Sequence, residues 1–426
     1  MQIHVVQKGD TLWQLSQKYG ASADEIVAVN GISEENILVI GQAIIIPAAA
    51  GSHKVIAGES LWTISQQYGV TLEELAKTNH IQNPALIYPG QTLVIPQAAK
   101  PIIEVNAYTN KFGPAGAKLV REVGEYLTYL SPFCYRVLAD GTLVALDDDL
   151  IISAAMSKRA VPMMVIANFD NELFSPEIAH AVLTIPSVQD KLIAGILYTM
   201  YQKGYLALNV DFEYVPPADR ELYNAFLQKL VDRLHPYNYL VSTCLAPKAR
   251  ADQPGTLYEA HDYPAQGRIV DFVVLMTFEW GWSGGPPLAV APLNEVVKVL
   301  NYATSVIPPD KILMVMPLYG YDWTLPYVEG GQWAPSISPI EAQERAAEYG
   351  ADIYYDEESQ SPYYRYYDEE KREHIVWFED ARSVQAKFNI VKAYKLRGIS
   401  YWVLGLPFPQ NWYLLDQNFT IKKLIK

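Results

Sequence analysis

The sequence predicts an α/β protein in which two small tandem modules precede an eight-stranded barrel. The first ~96 residues repeat at a constant offset of 49 residues. The rest of the chain holds eight apolar runs that alternate with helical patterns, as βα units do. We therefore expect module 1 over 1–48, module 2 over 51–97 and a barrel domain over 101–426.

The N-terminal repeat is gapless. Its aligned pairs are Gly9 with Gly58, Leu12 and Trp13 with Leu61 and Trp62, Ser16 with Ser65, Tyr19 and Gly20 with Tyr68 and Gly69, Asn30 with Asn79, Gly41 and Gln42 with Gly90 and Gln91, and Pro47 with Pro96. A single offset for every pair indicates a duplicated module.

Each copy predicts the order strand, helix, helix, strand. In the first copy IHVVQ alternates like a strand, Asp10 and Thr11 offer a helix cap, and Gly20 ends that helix. A short helix over 23–29 and a strand over 43–46 follow. Units of this size have small cores and must pack tightly.

The barrel prediction depends on eight strand-like runs. They are IIEVNAY, YLSPFCYRV, PMMVIANF, LALNVDFE, YLVSTCLAP, DFVVLMTF, ILMVMPLYG and ISYWVLG, with helical stretches such as ADRELYNAFLQKLVDRLH between them. Their mostly continuous hydrophobicity is typical of parallel strands covered on both faces. Eight βα units predict a TIM (β/α)8 barrel, in which functional residues lie at the C-terminal ends of the strands.

One connection is about twice the usual length. It lies between Tyr319 and Gly398 and includes the tyrosine-rich stretch IYYDEESQSPYYRYYDEE. Its many aromatic residues argue against a disordered loop. We expect a small α+β insertion over about 323–383, between strands seven and eight, that walls one side of the cleft.

Composition excludes several classes of protein. The net charge of −14 argues against nucleic acid or an anionic membrane as the main partner. Two cysteines, Cys134 and Cys244, are too few for a disulfide framework, and we expect both to be small buried residues. The sequence contains no metal-binding motif, so we expect neither a metal nor a cofactor. The start MQIHVVQKGD lacks the basic and apolar regions of a secretory signal, which predicts synthesis in the cytoplasm.

Three polar residues share one face of the fourth predicted strand. Side chains alternate between the faces of a strand, so Asn209, Asp211 and Glu213 point into the barrel. Val210 and Phe212 point outward to the helices. Carboxylates are costly to bury unless they are paired or used. The pattern indicates a catalytic site, with a hydrogen-bonded polar plug at the barrel mouth as the alternative.

The two repeats resemble LysM modules. VVQKGDTLWQLSQKYG and KVIAGESLWTISQQYG are similar to the opening of such modules, and PGQTLVIP to their close. LysM modules bind chains that contain N-acetylglucosamine, and two weak sites on one chain raise avidity. The resemblance implies glycan contacts by loop backbone, with Trp13 and Trp62 in the cores. The implied ligand loops are Gly9, Asp10, Thr11 and Leu12, facing 37–41, and Gly58, Glu59, Ser60 and Leu61, facing 86–90.

Most of residues 101–426 resembles glycoside hydrolase family 18. The strand-four motif of that family ends Asp-x-Asp-x-Glu. The other matching motifs are Met276-Thr277-Phe278-Glu279 on strand six, Pro317-Leu318-Tyr319-Gly320 on strand seven, and Trp402 on strand eight. The resemblance implies a substrate-assisted mechanism in which Glu213 is the general acid and base and Asp211 orients the acetamido group of the sugar. Asn209 would hydrogen-bond Asp211.

The same resemblance implies a set of substrate-binding residues. Trp402 would form the floor beneath the reacting sugar and Glu279 would bind one of its hydroxyls. The other expected contacts are Tyr319, Trp280, Trp282, Tyr108 and Asn168.

Three positions depart from the family motif. Asn209 and Leu206 stand where many relatives have Asp. Phe278 replaces a tyrosine that holds the acetamido oxygen, so Tyr319 or another tyrosine would have to supply that contact.

The resemblance implies peptidoglycan as the substrate. A muramic δ-lactam has its nitrogen locked in a ring, so neighbouring-group attack requires N-acetylglucosamine on the reacting side. Tandem modules, this barrel and no signal peptide are similar to the spore cortex-lytic N-acetylglucosaminidases of endospore-forming bacteria. That implies cortex fragments as partner and a spore location. The alternatives are a chitinase, or a glycan-binding protein whose barrel has weak catalysis.

Overall fold

The computed structural model describes residues 1–32, 37–47, 51–68, 70–96, 100–170 and 173–425. The aligned residue Gly69 and most of the expected linker after 96 lie outside these ranges. No helix within these ranges is long and apolar enough to cross a bilayer.

Both modules have the predicted order of elements. They consist of Gln2–Val5, Leu12–Tyr19, Ala23–Asn30 and Ala43–Ile46 in module 1, and of Ser52–Lys54, Leu61–Tyr68, Leu72–Thr78 and Thr92–Val94 in module 2. The two strands of each module pair antiparallel. Thr11 caps its helix by accepting the Gln14 N–H at 3.2 Å, and Gly20 ends the helix with a left-handed φ of 68°.

The expectation that Trp13 and Trp62 are core residues is wrong. Their side chains are 69% and 60% exposed. Each helix has only two turns, and its buried face contains Leu15 in module 1 and Leu61 and Ile64 in module 2. A residue one position along a helix is rotated by about 100°, so each tryptophan points away from that face.

Eight parallel strands close into the predicted barrel. Strands one to eight are Ile102–Thr109, Tyr129–Pro132, Val161–Ala167, Ala207–Asp211, Leu240–Leu245, Phe272–Leu275, Ile312–Pro317 and Gly398–Leu404. Each strand pairs with the next, and strand eight pairs with strand one. Short strands extend this scaffold at Tyr135–Arg136, beside strand three, and at Thr420–Ile421, beside strand one. Phe169–Asp170 and Leu173–Phe174 form a separate antiparallel pair.

Helices cover the outside of the barrel. They are Gly113–Val123, Asp149–Ser157, Pro176–Thr184, Pro186–Lys203, Arg220–Leu234, Tyr263–Ile269, Leu293–Val306, Ala381–Tyr394 and Pro409–Asn418. The largest apolar cluster lies between these helices and the strands, and a smaller one fills the barrel interior. Phe212 belongs to the outer cluster and stacks on Tyr223 and Phe226 of a covering helix, so the strand-four residues alternate as predicted.

The insertion between strands seven and eight is an antiparallel sheet with one helix. Its strands, in spatial order, are Ser336–Ile337, Gly320–Thr324, Glu373–Trp377, Ser361–Tyr367 and Tyr354–Asp356, and its helix is Pro339–Glu348. The sheet begins slightly before the expected residue 323. Its own apolar cluster includes Ile353 and Tyr364, and also Val39 from module 1.

Candidate active site

Strand four carries two carboxyl groups to the mouth of the barrel. Asp211 is its last residue and is 5% exposed, and Glu213, two residues later, is half-buried. Asp211 Oδ1 is buried and accepts no hydrogen bond from any residue of the described ranges. A buried acceptor without a donor is rare in folded proteins and calls for an explanation. Here that oxygen is left available for a donor from outside the chain.

Burial controls the protonation of this pair. It raises the pKa of Glu213 well above the usual range, and the nearby charge of Asp211 raises it further. It also raises the pKa of Asp211, against a smaller opposing effect of the hydrogen bond with the Cys244 thiol. Glu213 is therefore suited to hold a proton near neutral pH, as a general acid must.

Asn209 does not make the expected hydrogen bond to Asp211. Its Oδ1 accepts from the Tyr108 hydroxyl at 2.9 Å and lies 3.3 Å from Cys244 Sγ, while its Nδ2 donates to Ser242 Oγ at 2.9 Å. The residue is fully buried, one pleat below Asp211, where strand five beside it and strand one across the barrel supply its partners. Tyr108 is 3% exposed and is engaged in this layer beneath the site, which contradicts the expectation that it contacts substrate.

The main chain of Glu213 is held by Asn168. The Glu213 N–H donates to Asn168 Oδ1 at 3.0 Å, and Asn168 Nδ2 donates to the Glu213 carbonyl at 2.8 Å and to the Ser175 carbonyl at 2.9 Å. Asn168 is fully buried and both of its side-chain polar atoms are hydrogen-bonded, so it positions the main chain of Glu213. This differs from the expectation that Asn168 contacts the sugar.

His261 holds the same turn from the other side. Its Nδ1 accepts the Ala246 N–H at 2.7 Å, so its Nε2 carries the proton and donates to the Phe212 carbonyl at 3.0 Å. Burial lowers the pKa of His261 to about 4, which keeps the ring neutral in this role. The residue after Glu213, Tyr214, has a left-handed φ of 52°, a conformation that persists only where the surroundings fix it.

The segments after strands six and seven place a third carboxyl group in the cleft. Glu279 Oε1 accepts hydrogen bonds from the hydroxyls of Tyr319 and Tyr321, the second at 3.0 Å. Burial raises the pKa of Glu279, and these two hydrogen bonds only partly offset the effect. Because a tyrosine has one hydroxyl proton, Tyr319 can donate to a substrate only by releasing Glu279.

Aromatic rings surround the pair of carboxyls. Trp402 is half-buried, with ring centroids 4.8 Å from Phe133, 5.5 Å from Tyr108 and 6.5 Å from Phe278. Trp282 is 42% exposed and meets the exposed Trp333 of the insertion edge to face at 5.7 Å. Trp280 is half-buried against the outer apolar cluster, so it has less free surface for stacking than Trp282.

Several residues around the site cannot be identified from the sequence alone. Phe133 and Trp333 lie far from the family motifs, and His261 occurs in an unremarkable stretch, so only the folded chain brings them together. Cys134 and Cys244 are buried and unpaired, as predicted. In the described part of the chain, no cluster of three or more His, Cys, Asp or Glu side chains could hold a metal ion.

The expected glycan loops of the modules have equivalent internal contacts. In module 1, Asp10 Oδ2 accepts the Gln7 N–H at 2.8 Å and lies 2.7 Å from His4 Nε2. In module 2, Glu59 Oε2 accepts the Ile56 N–H at 2.8 Å and lies 2.8 Å from His53 Nε2. The carboxylate after each loop glycine therefore fixes the shape of its loop.

The barrel with a carboxyl pair at the end of strand four defines a glycoside hydrolase. The model "Glycosyl hydrolases family 18" matches residues 172–406, and the model "LysM domain" matches 4–47 and 53–96. The chain belongs to glycosyl hydrolase family 18 and carries two LysM modules.

Two similar proteins match nearly the whole chain, and a third matches the barrel domain. The "Cortical fragment-lytic enzyme" of Bacillus subtilis is 51% identical over 99% of this chain and 99% of its own. The crystal structure of the Bacillus cereus spore cortex-lytic enzyme SleL matches with a TM-score of 0.91 and 44% identity over 99% and 98% of the two chains. The crystal structure of a chitinase from Chromobacterium violaceum matches with a TM-score of 0.68 and 27% identity. The match covers 74% of this chain and 98% of the chitinase chain.

Proposed function

We propose that this enzyme is a spore cortex peptidoglycan hydrolase, an N-acetylglucosaminidase that cleaves after N-acetylglucosamine. The full-length similarity to a cortical fragment-lytic enzyme supports the substrate, and the LysM modules support binding to its glycan. The observation that carries the chemistry is the buried, unpaired Asp211 Oδ1 beside a carboxyl group whose pKa is strongly raised. An acetamido N–H of the reacting sugar is the donor that this oxygen fits.

The proposed mechanism begins with the proton on Glu213. Glu213 donates it to the leaving glycosidic oxygen as the bond from that oxygen to the anomeric carbon breaks. The acetamido oxygen of the sugar that carries this anomeric carbon bonds to it and forms a cyclic oxazolinium ion. Asp211 accepts the acetamido N–H and stabilises the developing positive charge.

The second step reverses the role of Glu213. As a carboxylate it removes a proton from water, and the water oxygen bonds to the anomeric carbon while the bond to the acetamido oxygen breaks. Two displacements at one carbon retain its configuration. Trp402 would support the reacting sugar, and Trp282 with Trp333 would contact a neighbouring one. Phe278 offers the acetamido group an apolar contact where the family motif has a hydroxyl.

We propose the same chain division as the sequence predicts, with modules over 1–48 and 51–97 and a barrel domain over 101–426, because the observed elements fall within these ranges. The proposed partner is glycan from cortex peptidoglycan, and the proposed location is the spore, which the similarity to cortex-lytic enzymes supports.

Mass spectrometry of digestion products tests the function. De-cross-linked cortex peptidoglycan should yield fragments with N-acetylglucosamine at the new reducing end, and glycan stripped of acetyl groups should not be cleaved. Glu213→Gln should lower turnover by roughly 10²–10⁴-fold, the usual contribution of a general acid, and leave binding unchanged. Faster cleavage of chitin than of cortex would assign the enzyme to chitin instead. Fragments ending in muramic acid would refute the proposed bond.

A further inference from the structure

The two modules are alike inside. Asn30 Nδ2 donates to the carbonyls of Ile26 and Ile45, and its counterpart Asn79 donates to those of Leu75 and Val94. Gln42 Oε1 accepts the N–H of Val39 at 3.0 Å, and Gln91 Oε1 accepts the N–H of Tyr88 at 3.1 Å. These shared contacts connect the second helix, the second loop and the second strand of each module. Any difference in binding must therefore come from the loop side chains of each module and from their contacts with the rest of the chain.

The second loop of module 1 is docked on the insertion of the barrel domain. The Ile353 N–H donates to the Ile40 carbonyl at 2.9 Å, and Arg382 donates to the Gly41 carbonyl at 3.0 Å. Next to them, Gln42 Nε2 donates to Gln343 Oε1 at 2.7 Å. Backbone groups of the loop expected to bind glycan are thus already bonded within the chain.

The contact between the second loop of module 1 and the insertion is also closely packed. Val39 is 7% exposed and lies in the apolar cluster of the insertion. A Cβ atom at Gly41 would lie 1.8 Å from the Ile353 carbonyl oxygen, so the two backbones touch. A sugar ring cannot enter between surfaces in this contact.

The rest of module 1 is also anchored to the barrel. Gln410 Nε2 donates to Asn30 Oδ1 at 2.7 Å and to the Ala43 carbonyl at 2.8 Å. Ala43 and Ile45 belong to the main apolar cluster of the barrel. Separating the module would break these hydrogen bonds and expose the apolar surface of Ala43 and Ile45 to water, which is unfavourable.

The corresponding loop of module 2 is open. Tyr88 is 63% exposed, whereas its counterpart Val39 is 7% exposed; Leu86 and its counterpart Ile37 are both exposed, at 54% and 77%. A Cβ atom at Gly90, the counterpart of Gly41, would have no neighbour within 4 Å, while the facing-loop glycines Gly9 and Gly58 are open in both modules. Exposed apolar side chains beside accessible backbone groups are what a sugar ring requires, since it offers an apolar face and hydroxyl edges.

We infer that the two modules have different tasks: module 2 binds the N-acetylglucosamine-containing glycan, and module 1 is a fixed connection between module 2 and the barrel. This inference rests on the proposed function, because it assumes that the modules bind the substrate glycan. It adds that the duplication does not provide two equivalent sites. Module 1 contacts module 2 through Gln2 Nε2, which donates to Glu59 Oε1 at 3.2 Å and lies 3.2 Å from His53 Nδ1.

A matched pair of loop variants tests this assignment. Leu86 and Ile37 occupy equivalent positions at the 49-residue offset and are 54% and 77% exposed, so Leu86→Asn and Ile37→Asn disturb folding little. Both are made in the full chain with Glu213→Gln, which prevents digestion. Sedimentation with insoluble peptidoglycan then gives the dissociation constant, and the thermal midpoint reports the fold.

The expected results differ between the two variants. Leu86→Asn should weaken binding by roughly five- to tenfold and Ile37→Asn by less than about twofold, at unchanged thermal midpoints. Equal losses, or a larger loss for Ile37→Asn, would overturn the assignment while leaving glycan binding itself intact. If the parent chain does not sediment with peptidoglycan, the proposed function fails at its first step. The two failures are thus distinguishable.

Discussion

At the end of strand four, the carboxyl groups of Asp211 and Glu213 lie close together in a partly buried site. Burial and the charge of Asp211 both raise the pKa of Glu213, so the acid form of Glu213 persists to higher pH than that of an exposed glutamate. A reaction that needs this acid loses rate as pH rises through the raised pKa. It also loses rate at low pH, where Asp211 becomes protonated and can no longer stabilise positive charge.

The variant Asp211→Asn separates these two effects. Without the negative charge of Asp211, the pKa of Glu213 falls, so the basic limb of the kcat/KM profile should move to lower pH. The rate at its optimum should fall by roughly 10²–10³-fold through the loss of charge stabilisation. Measuring kcat/KM against pH for both proteins checks this. A basic limb that stays in place would show that Asp211 does not control the proton of Glu213.

Phe278 occupies the position at which the family motif has a tyrosine. Neither Tyr319 nor Tyr321 has a hydroxyl proton free to hold the acetamido oxygen, because both donate to Glu279. Phe278→Tyr restores the hydroxyl of the family motif, and one hydrogen bond at about 0.5–1.5 kcal/mol corresponds to a two- to tenfold increase in kcat/KM. Steady-state kinetics on N-acetylglucosamine oligosaccharides measures it. A decrease would indicate that the site is built around the apolar ring.

At the scale of elements, the turn after strand four is held by side chains from other strands and loops. Asn168 bonds both the N–H and the carbonyl of Glu213, and His261 bonds the carbonyl before it. Both side chains are fully buried, so we propose that they position Glu213 without contacting the substrate. Their effect should appear in the rate of the chemical step more than in substrate binding.

Asn168→Ala tests this positioning. Loss of these hydrogen bonds should lower the free energy of unfolding by about 1–3 kcal/mol. In the fraction that remains folded, we expect kcat to fall at least ~10-fold with KM changed less than about twofold, since a small misplacement of a catalytic group is costly. Kinetics below the thermal midpoint, with active-site concentration measured, separates the two effects. A rise in KM alone would instead make Asn168 a substrate contact.

The periodicity of the sequence predicts which way the strand-four side chains point, but it does not predict their hydrogen-bond partners. The alternation along strand four placed Asp211 and Glu213 inside and Phe212 outside, because that pattern depends only on the local backbone. The partners of Asn209 come from strands one and five, which no local pattern reveals. Trp13 and Trp62 were misjudged because large aromatic residues are usually buried, whereas their helices are too short to bury more than one face.

At the scale of the whole molecule, module 1 contacts both module 2 and the barrel domain. The sequence shows two copies of one module, and their equivalence ends where the fold brings one of them against the insertion. The difference depends on contacts between residues more than 300 positions apart, such as Gln42 with Gln343. Neither copy alone contains the information that distinguishes them.

Two glycines at equivalent positions provide the test of this docking. Gly41 and Gly90 have nearly the same left-handed backbone, with φ of 84° and 87°, so substitution by alanine strains both equally. Only at Gly41 would the new Cβ meet another part of the chain, the Ile353 carbonyl. Gly41→Ala should therefore break the hydrogen bond between the Ile353 N–H and the Ile40 carbonyl, and Gly90→Ala should not.

Hydrogen exchange at the Ile353 amide measures this directly. The amide should exchange at least ~10-fold faster in Gly41→Ala than in the parent chain, which corresponds to about 1.4 kcal/mol of lost protection. In Gly90→Ala its rate should be unchanged, although both variants lose similar stability within their own modules. Faster exchange in both variants would mean that the two modules move as one unit against the barrel. No change in either would mean that module 1 is not held by this contact, and its loop would then be as open to glycan as that of module 2.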